Sequence, residues 1–103
     1  MSSIKIRTET QGSDTELRLL IMHPMENGRN RDPLTNTLIP SHFITELIVM
    51  VNDDSVLVVD LGGSMAKNPF FTFRLKNLQK GDKLTVSWVD NQLNSDSNEQ
   101  LID

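Results

Sequence analysis

The chain has 103 residues and no cysteine, and its formal net charge is −4. This length suits one domain with one core, which we expect over residues 1–103. The acidic balance argues against binding to nucleic acid or to an anionic membrane surface, because an acidic protein does not neutralise phosphates. The missing thiols exclude disulfides, thiolate zinc sites, iron–sulfur clusters and cysteine nucleophiles.

The amino-terminal residues hold no basic segment that leads into an apolar run of signal-peptide length. No later stretch approaches the length of a membrane-spanning helix. We therefore expect the sequence to carry no export signal of its own and to have no membrane partner.

The first half of the chain alternates apolar and polar residues as strands do. Residues 4–8 predict a short edge strand. In residues 15–23, one face is predicted to be apolar and to end in a histidine, with Leu17, Leu19, Ile21 and His23. The other face of this strand begins charged and ends apolar. Residues 42–51 predict a further strand.

The segment between these two strands, residues 24–40, has a proline at each end and a third at Pro33. It also contains the turn-forming pair Asn27-Gly28. Proline removes a backbone donor and fixes φ, so neither a continuous helix nor a central strand fits. The pattern predicts a long loop, and such a loop in a compact domain is usually functional or covered.

The second half predicts strands over residues 56–61, 71–75 and 84–88, and a short last strand near residues 101–102. Together the chain reads as roughly seven short strands with turn signals every ~8–12 residues. The predicted fold class is all-β, an immunoglobulin-like antiparallel β-sandwich. Aromatic residues are few, so we expect three of them to carry much of the core packing: Phe71, Phe73 and Trp88.

Three predicted strands are apolar on both faces, although a solvated sheet face should be polar. Something is therefore expected to cover the outer side, either a partner protein or the chain's own long loops. We favour the partner. The residues predicted to face it are Leu20, Met22, Ile44, Ile48 and Met50.

Catalysis has little support in the sequence. His23 with Glu26 and Asp32 nearby could form a general base with an orienting carboxylate. However, no glycine-framed serine, thiol or glycine-rich phosphate loop accompanies them. We expect no catalytic residue and no enzymatic activity.

A copper site is the alternative chemistry, since imidazole and thioether groups are favoured copper ligands. No His-x-His pair or methionine-rich run is present, and methionine more often fills cores or adaptable interfaces. We expect no metal and no cofactor, and keep a periplasmic copper-binding β-sandwich as the alternative function. Its candidate ligands are Met22, His23, Met25, His42, Met50 and Met65.

Charged residues also lie in the long loop, at Arg29, Arg31 and Asp32. Guanidinium groups match carboxylates and oxyanions in a bidentate way, so the cluster could grip an anionic group. A solvated loop with internal salt bridges would use the same residue types. The sequence leaves both interpretations open.

Several short segments, in order and spacing, resemble the SoxZ family, the smaller subunit of the sulfur-oxidation carrier complex SoxYZ. The resemblance covers nearly the whole chain. It is carried by His23-Pro-Met-Glu-Asn-Gly28, Arg31-Asp32, Ile39-Pro40, Phe43-Ile44, the Asn52 turn, Asn68-Pro69 with Phe73, and Trp88-Val-Asp90.

The resemblance implies an immunoglobulin-like sandwich in a tight heterodimer with SoxY. In that family SoxY supplies a glycine-flanked cysteine on a carboxy-terminal swinging arm, and sulfur intermediates from thiosulfate or sulfide are attached to it. The Z subunit is non-catalytic, stabilises the carrier and helps present the arm to other Sox enzymes. It reaches the periplasm by co-export with a signal-bearing SoxY.

The resemblance implies that the long loop lies near SoxY, its arm or a visiting enzyme. The loop residues of this hypothesis are His23, Pro24, Met25, Glu26, Asn27, Gly28, Arg31 and Asp32.

Overall fold

The computed structural model describes residues 2–102, and this part of the chain contains seven strands and no helix. All strand pairs are antiparallel. The all-β prediction is confirmed. The strands are β1 (Ile4–Gln11), β2 (Asp14–Ile21), β3 (Ile44–Val51), β4 (Asp54–Asp60), β5 (Phe70–Lys76), β6 (Lys83–Asp90) and β7 (Ser95–Leu101).

The strands form a three-stranded sheet in the order β1-β2-β5 and a four-stranded sheet in the order β4-β3-β6-β7. Two packed antiparallel sheets in this order make an immunoglobulin-like sandwich whose fourth strand pairs with β3 rather than with β5. The predicted fold class is therefore confirmed. As predicted, β1 lies at a sheet edge.

The core lies between the sheets and is built by alternation along β2, β3 and β6. The predicted inner face of β2 is confirmed, since Leu17, Leu19 and Ile21 are fully buried. Burying one such side chain contributes about 1.5–3 kcal/mol. The other strands add Leu47, Val49, Leu84 and Val86 to the fully buried set.

The structure places Ile44 in this core, and its prediction as a partner-facing residue is wrong. Ile44 is 0% exposed. The register between β3 and β6 shifts between Ile44 and Glu46, so the alternation is broken by one inserted residue. Ile44 and Leu47 consequently face the same way, although strict alternation would assign them to opposite faces.

The other four residues of the predicted apolar surface do not form one surface. Leu20 lies on the outer face of the three-stranded sheet, and the half-exposed Met22 follows it at the end of β2. Ile48 and Met50 lie on the outer face of the four-stranded sheet, on the other side of the sandwich. Alternation within a strand does not reveal which sheet the strand joins.

The three aromatic residues predicted for the core are buried to different extents. Trp88 lies in the core at 8% exposure, and its indole N–H donates to Ser3 Oγ at 3.1 Å. Phe71 and Phe73 are half-buried in β5, where their rings stack with centroids 5.9 Å apart at the edge of the core. Trp88 is therefore the more central of the three.

The last strand begins at Ser95, earlier than the prediction near residues 101–102. Its inward-facing residues Asp96, Asn98 and Gln100 are polar and its one apolar residue, Leu101, is exposed, so alternation gives no signal of a buried apolar face there. The β3–β4 turn agrees with prediction, because Asn52 and Asp53 have φ of 51° and 70°, which Asn and Asp tolerate. Residues 2–102 hold no helix of the length and hydropathy needed to cross a membrane.

Candidate functional site

One end of the sandwich gathers three connections, because consecutive antiparallel strands reverse direction there. They are residues 22–43 between β2 and β3, residues 61–69 between β4 and β5, and residues 91–94 between β6 and β7. His23 and Asn68 bond each other twice, through His23 N–H to Asn68 Oδ1 at 3.0 Å and Asn68 N–H to His23 O at 2.9 Å. Asn91 N–H donates to Phe43 O at 3.0 Å, so the third connection is joined to the first as well.

The connection of residues 22–43, here called the hairpin loop, is paired along its length. Glu26 and His42 exchange two backbone hydrogen bonds at 2.7 and 2.8 Å. Nearer the tip, Ile39 N–H donates to Asn30 O at 2.8 Å. Its prolines and glycine prevent regular strands, yet the segment is an irregular hairpin and its backbone groups are largely satisfied.

Two residue types give the hairpin loop its shape. Gly28 has φ of +84°, and a Cβ there would lie 3.3 Å from Ser41 Cβ, so glycine suits both the backbone and the close approach. At the tip, Asp32 Oδ1 accepts the Leu34 N–H at 2.8 Å, which forms an Asx turn. Leu34 is 93% exposed, so the tip presents an apolar side chain to solvent.

A cluster of two imidazoles and one carboxylate closes the base of the hairpin loop. Asp90 Oδ2 lies 3.0 Å from His23 Nε2 and 2.7 Å from His42 Nε2. Asp90 Oδ1 accepts the backbone N–H groups of Gln92 and Asn94 at 3.0 and 2.9 Å. One carboxylate at the end of β6 therefore holds both ends of the hairpin loop.

Asp90 is buried, with no exposed side-chain surface. Burial by itself raises the pKa of its carboxyl group, but the hydrogen bonds from His23, Asn94, His42 and Gln92 together hold that pKa well below the ordinary value of 3.8. The carboxylate is consequently ionised at neutral pH.

The hydrogen bonds of His23 define its tautomer. Its Nδ1 faces the Met25 N–H at 3.1 Å and must accept, because a backbone amide only donates. Its Nε2 therefore carries the proton that is donated to Asp90. The ring also packs edge-to-face on Trp88, with centroids 5.0 Å apart.

The cluster has the donor types of a metal site, since the ligand atoms of His23, His42 and Asp90 lie within 4.8 Å of one another. A metal-bound imidazole normally donates its second N–H to an acceptor. Nδ1 of His23 instead accepts the backbone N–H of Met25. A metal on Nε2 would move the ring proton to Nδ1, where it would point at the Met25 N–H. The arrangement fits a hydrogen-bonded cluster better than a metal site.

Three of the four methionines of the copper alternative have other surroundings or other bonds. Met22 and Met50 lie on outer faces of different sheets. Met25 is buried, and its sulfur lies 3.3 Å from the Ile44 N–H, where it acts as an acceptor. The structure thus offers no support for a copper set that combines these groups.

The residues of the predicted partner or arm-contacting loop fall into an inner and an outer group. His23 and Met25 are buried and act as anchors of the loop, and Glu26, Gly28 and Asp32 are half-buried. Arg31 donates a hydrogen bond from Nη1 to the backbone carbonyl of Asn36 at 2.9 Å, and not to a carboxylate. The exposed members are Pro24, Asn27 and Arg31.

Asp90 was not among the site residues predicted from the sequence. A signal was present, because Leu84, Val86 and Trp88 alternate toward the core and two residues further this face reaches a carboxylate. Leu17, Leu19 and Ile21 lead to His23 in the same way. Asp90 and His23 each follow a row of inward-facing apolar residues, in two different strands. This pattern made them candidates for a buried polar pair.

A shallow groove lies between the hairpin loop and residues 61–69. Gly63 allows the two segments to approach, since a Cβ there would lie 3.3 Å from Asn27 Cβ. We call it the loop groove, and it is lined by Asn27, Arg29, Phe43, Gly63 and Ser64.

No curated protein sequence matches the chain. Among solved structures, the crystal structure of hypothetical protein PH1083 from Pyrococcus horikoshii OT3 is similar, with a TM-score of 0.62 and 20% identity, over 97% of this chain and 87% of that chain. At that identity the likeness shows the fold alone. The family model for sulphur oxidation protein SoxZ matches residues 4–100, which is nearly the whole chain, and the chain therefore belongs to the SoxZ family.

Proposed function

We propose that the protein is the non-catalytic Z subunit of a SoxYZ carrier complex, which binds SoxY and helps present its cysteine-bearing arm to other Sox enzymes. Membership of the SoxZ family is the observation that carries this proposal, and it makes the chain a subunit of a sulfur-oxidation system. The chain has no cysteine, so the sulfur-carrying thiol belongs on another subunit.

The outer face of the four-stranded sheet is the surface we assign to SoxY. Cross-strand partners Ile48 and Val58 lie side by side there, and Val56 and Val58 are 49% and 54% exposed. Toward β7 the same face carries small hydroxyl residues, with Ser87 opposite Ser97. A flat face with an apolar half and a small polar half suits packing against another sheet.

The border of this face is acidic. Glu46 and Asp60 are directly opposite each other on β3 and β4, and like charges in that position are destabilising. A partner with lysine or arginine around an apolar sheet face would relieve this repulsion, which supports a heterodimer with a chain of complementary charge.

The arm would pass along the loop groove, at the end of the sandwich where the hairpin loop lies. The groove has close backbone walls at Gly63 and a polar rim at Asn27 and Ser64. Arg29 is exposed at the same place, and a guanidinium can pair with an anionic group on the arm sulfur. The proposal places the complex in the periplasm, reached by co-export with a signal-bearing SoxY.

The test is co-expression of the chain with SoxY, followed by size-exclusion chromatography and titration calorimetry. Ile48→Asp places a charge on the proposed interface and should weaken binding about 100-fold or more. The matched control Thr72→Asp lies on the outer face of the other sheet and should bind as the wild type does. If the wild-type chain does not bind SoxY, the proposed function is wrong. If the two variants change the affinity for SoxY equally, the choice of face is wrong.

Two further experiments test the proposed role of Arg29 toward the SoxY arm and the proposed periplasmic location. Arg29→Gln should leave SoxY binding intact and slow the turnover of arm-bound sulfur intermediates by a coupled Sox enzyme. Fractionation should place the chain in the periplasm only when a SoxY with its signal peptide is co-expressed. Periplasmic chain without SoxY would exclude co-export as the route.

A further inference from the structure

The His23–Asp90–His42 cluster holds a buried negative charge that needs a counterpart. The Asp90 side chain has 0% exposure, and a buried carboxylate is costly unless it is paired with a cation. Within residues 2–102, the two imidazoles are the only basic groups in ion-pair contact with it. One of these rings is therefore the natural place for a positive charge.

His23 is poorly placed to carry that charge. Its Nδ1 accepts the Met25 N–H at 3.1 Å, and a proton on Nδ1 would turn this contact into two opposed donors. Its side chain is only 2% exposed, so burial also disfavours the cation. His23 is held as the neutral ring with its proton on Nε2.

His42 has neither restriction. Its side chain is 27% exposed, so solvent can reach the ring, and Nε2 already contacts Asp90 Oδ2 at 2.7 Å. That distance lies in the range of charge-assisted hydrogen bonds. The ionisable groups around His42 are Asp90 at the end of β6, His23 after β2 and Glu26 across the backbone bridge, and the nearby Asn94 is uncharged.

We infer that His42 carries the positive charge of the cluster, and that its proton fastens the hairpin loop to the sandwich. The backbone of His42 is the partner of Glu26 in the bridge at the base of the loop. Loss of the proton converts an ion pair into a neutral hydrogen bond and leaves the buried carboxylate without its cation. The base of the loop then opens more often once His42 has lost this proton. This inference does not depend on the identity of the partner.

Nitrogen-15 NMR of the full chain, with labelled histidine, tests the charge assignment directly. At about pH 5.5, His42 should show two protonated ring nitrogens and His23 only one, on Nε2. Raising the pH to about 8.5 should remove one proton from His42 and leave His23 unchanged. A neutral His42 at the lower pH, or a doubly protonated His23, would overturn the assignment.

Hydrogen exchange tests the link to the loop. After correction for intrinsic rates, the amides of Glu26 and His42 should exchange about tenfold faster at the higher pH, while those of β2 stay unchanged. His42→Gln keeps a side-chain donor without the charge and should abolish this pH effect. Asp96→Asn, a carboxylate at a separate site bonded to Ser3, should retain it.

The same spectra distinguish the proton from a metal. One equivalent of Zn²⁺ or Cu²⁺ should leave the ring nitrogen signals of His23 and His42 unchanged near neutral pH. If Zn²⁺ shifts, or the paramagnetic Cu²⁺ broadens, both sets of signals in proportion to its concentration, the cluster is a metal site and the inference is wrong. Equal exchange rates at both pH values would likewise contradict the fastening role of the proton.

Discussion

The two outer faces of the sandwich differ sharply, although the inner faces of both sheets are built by the same alternation. The outer face of the three-stranded sheet is mostly charged, with an ion pair between Arg18 and Glu16. The outer face of the four-stranded sheet has an uncharged centre, with Ile48 and Val58 adjacent. The charged residues of the first face include Lys5, Arg7, Glu9, Glu16, Arg18 and Arg74.

This difference separates the mostly charged side of the molecule from the side that we propose as the partner interface. A charged surface keeps its hydration, and on this face the exposed apolar side chains are confined to one end, at Met22 and Phe70. An apolar face with exposed valines on an edge strand is a liability for an isolated chain, because it invites association. The fold alone allows either face to be the interface, and the outward side chains decide between them.

The largest expected effect concerns the joint between the two sheets, on which the relative position of both faces depends. His23 follows β2 of one sheet and Asp90 ends β6 of the other, so their hydrogen bond crosses the sandwich. Asp90→Asn removes the carboxylate that is bonded by four groups, the rings of His23 and His42 and the backbone N–H groups of Gln92 and Asn94. We expect a loss of about 3–5 kcal/mol in the free energy of unfolding near neutral pH, measured by urea denaturation.

The pH dependence of Asp90 has a defined sign. Because folding lowers the pKa of its carboxyl below the ordinary value of 3.8, its stabilising contribution is present above that value and is lost as pH falls below it. The unfolding free energy of the wild type should therefore decrease in acid more steeply than that of Asp90→Asn. Parallel curves for the two proteins would show that Asp90 is not a source of acid sensitivity.

The second effect sharpens the boundary between the core and the apolar face. Ile44 is fully buried because of the register shift in β3, whereas Ile48 is on the outer face. Ile44→Ala should destabilise the isolated chain by about 2–5 kcal/mol, and Ile48→Ala by less than ~1 kcal/mol. Thermal and urea unfolding of both variants measures this, and similar losses would place the two side chains in one environment.

The smallest effect concerns the acidic border of the apolar face. Glu46→Gln removes the like-charge pair with Asp60 and should stabilise the isolated chain by about 0.5 kcal/mol at low salt. The gain should shrink as salt is added, because exposed charges are screened. The matched control is Arg7→Gln on the other face, where Arg7 lies opposite Arg18. Comparing the changes in unfolding free energy of the two variants shows whether like-charge repulsion is particular to the acidic border.

The sequence was sufficient for the strand count and the fold class, because alternation and turn residues act locally. It was also sufficient for the inward face of β2 and for the turn at Asn52. It failed at Ile44, since a bulge depends on how β3 pairs with its neighbour. It also failed at β7, whose inward-facing residues are polar and therefore leave no apolar alternation.

The candidate site shows the same division. The sequence by itself determined that the hairpin loop would be long, rich in turns and free of cysteine chemistry, because these follow from residue type alone. Only the tertiary structure decided that His23 and His42 meet at Asp90, 67 and 48 residues away in the chain. It also divided the predicted apolar surface between two faces. Contacts between distant segments depend on strand pairing and sheet packing, which residue patterns within one strand do not encode.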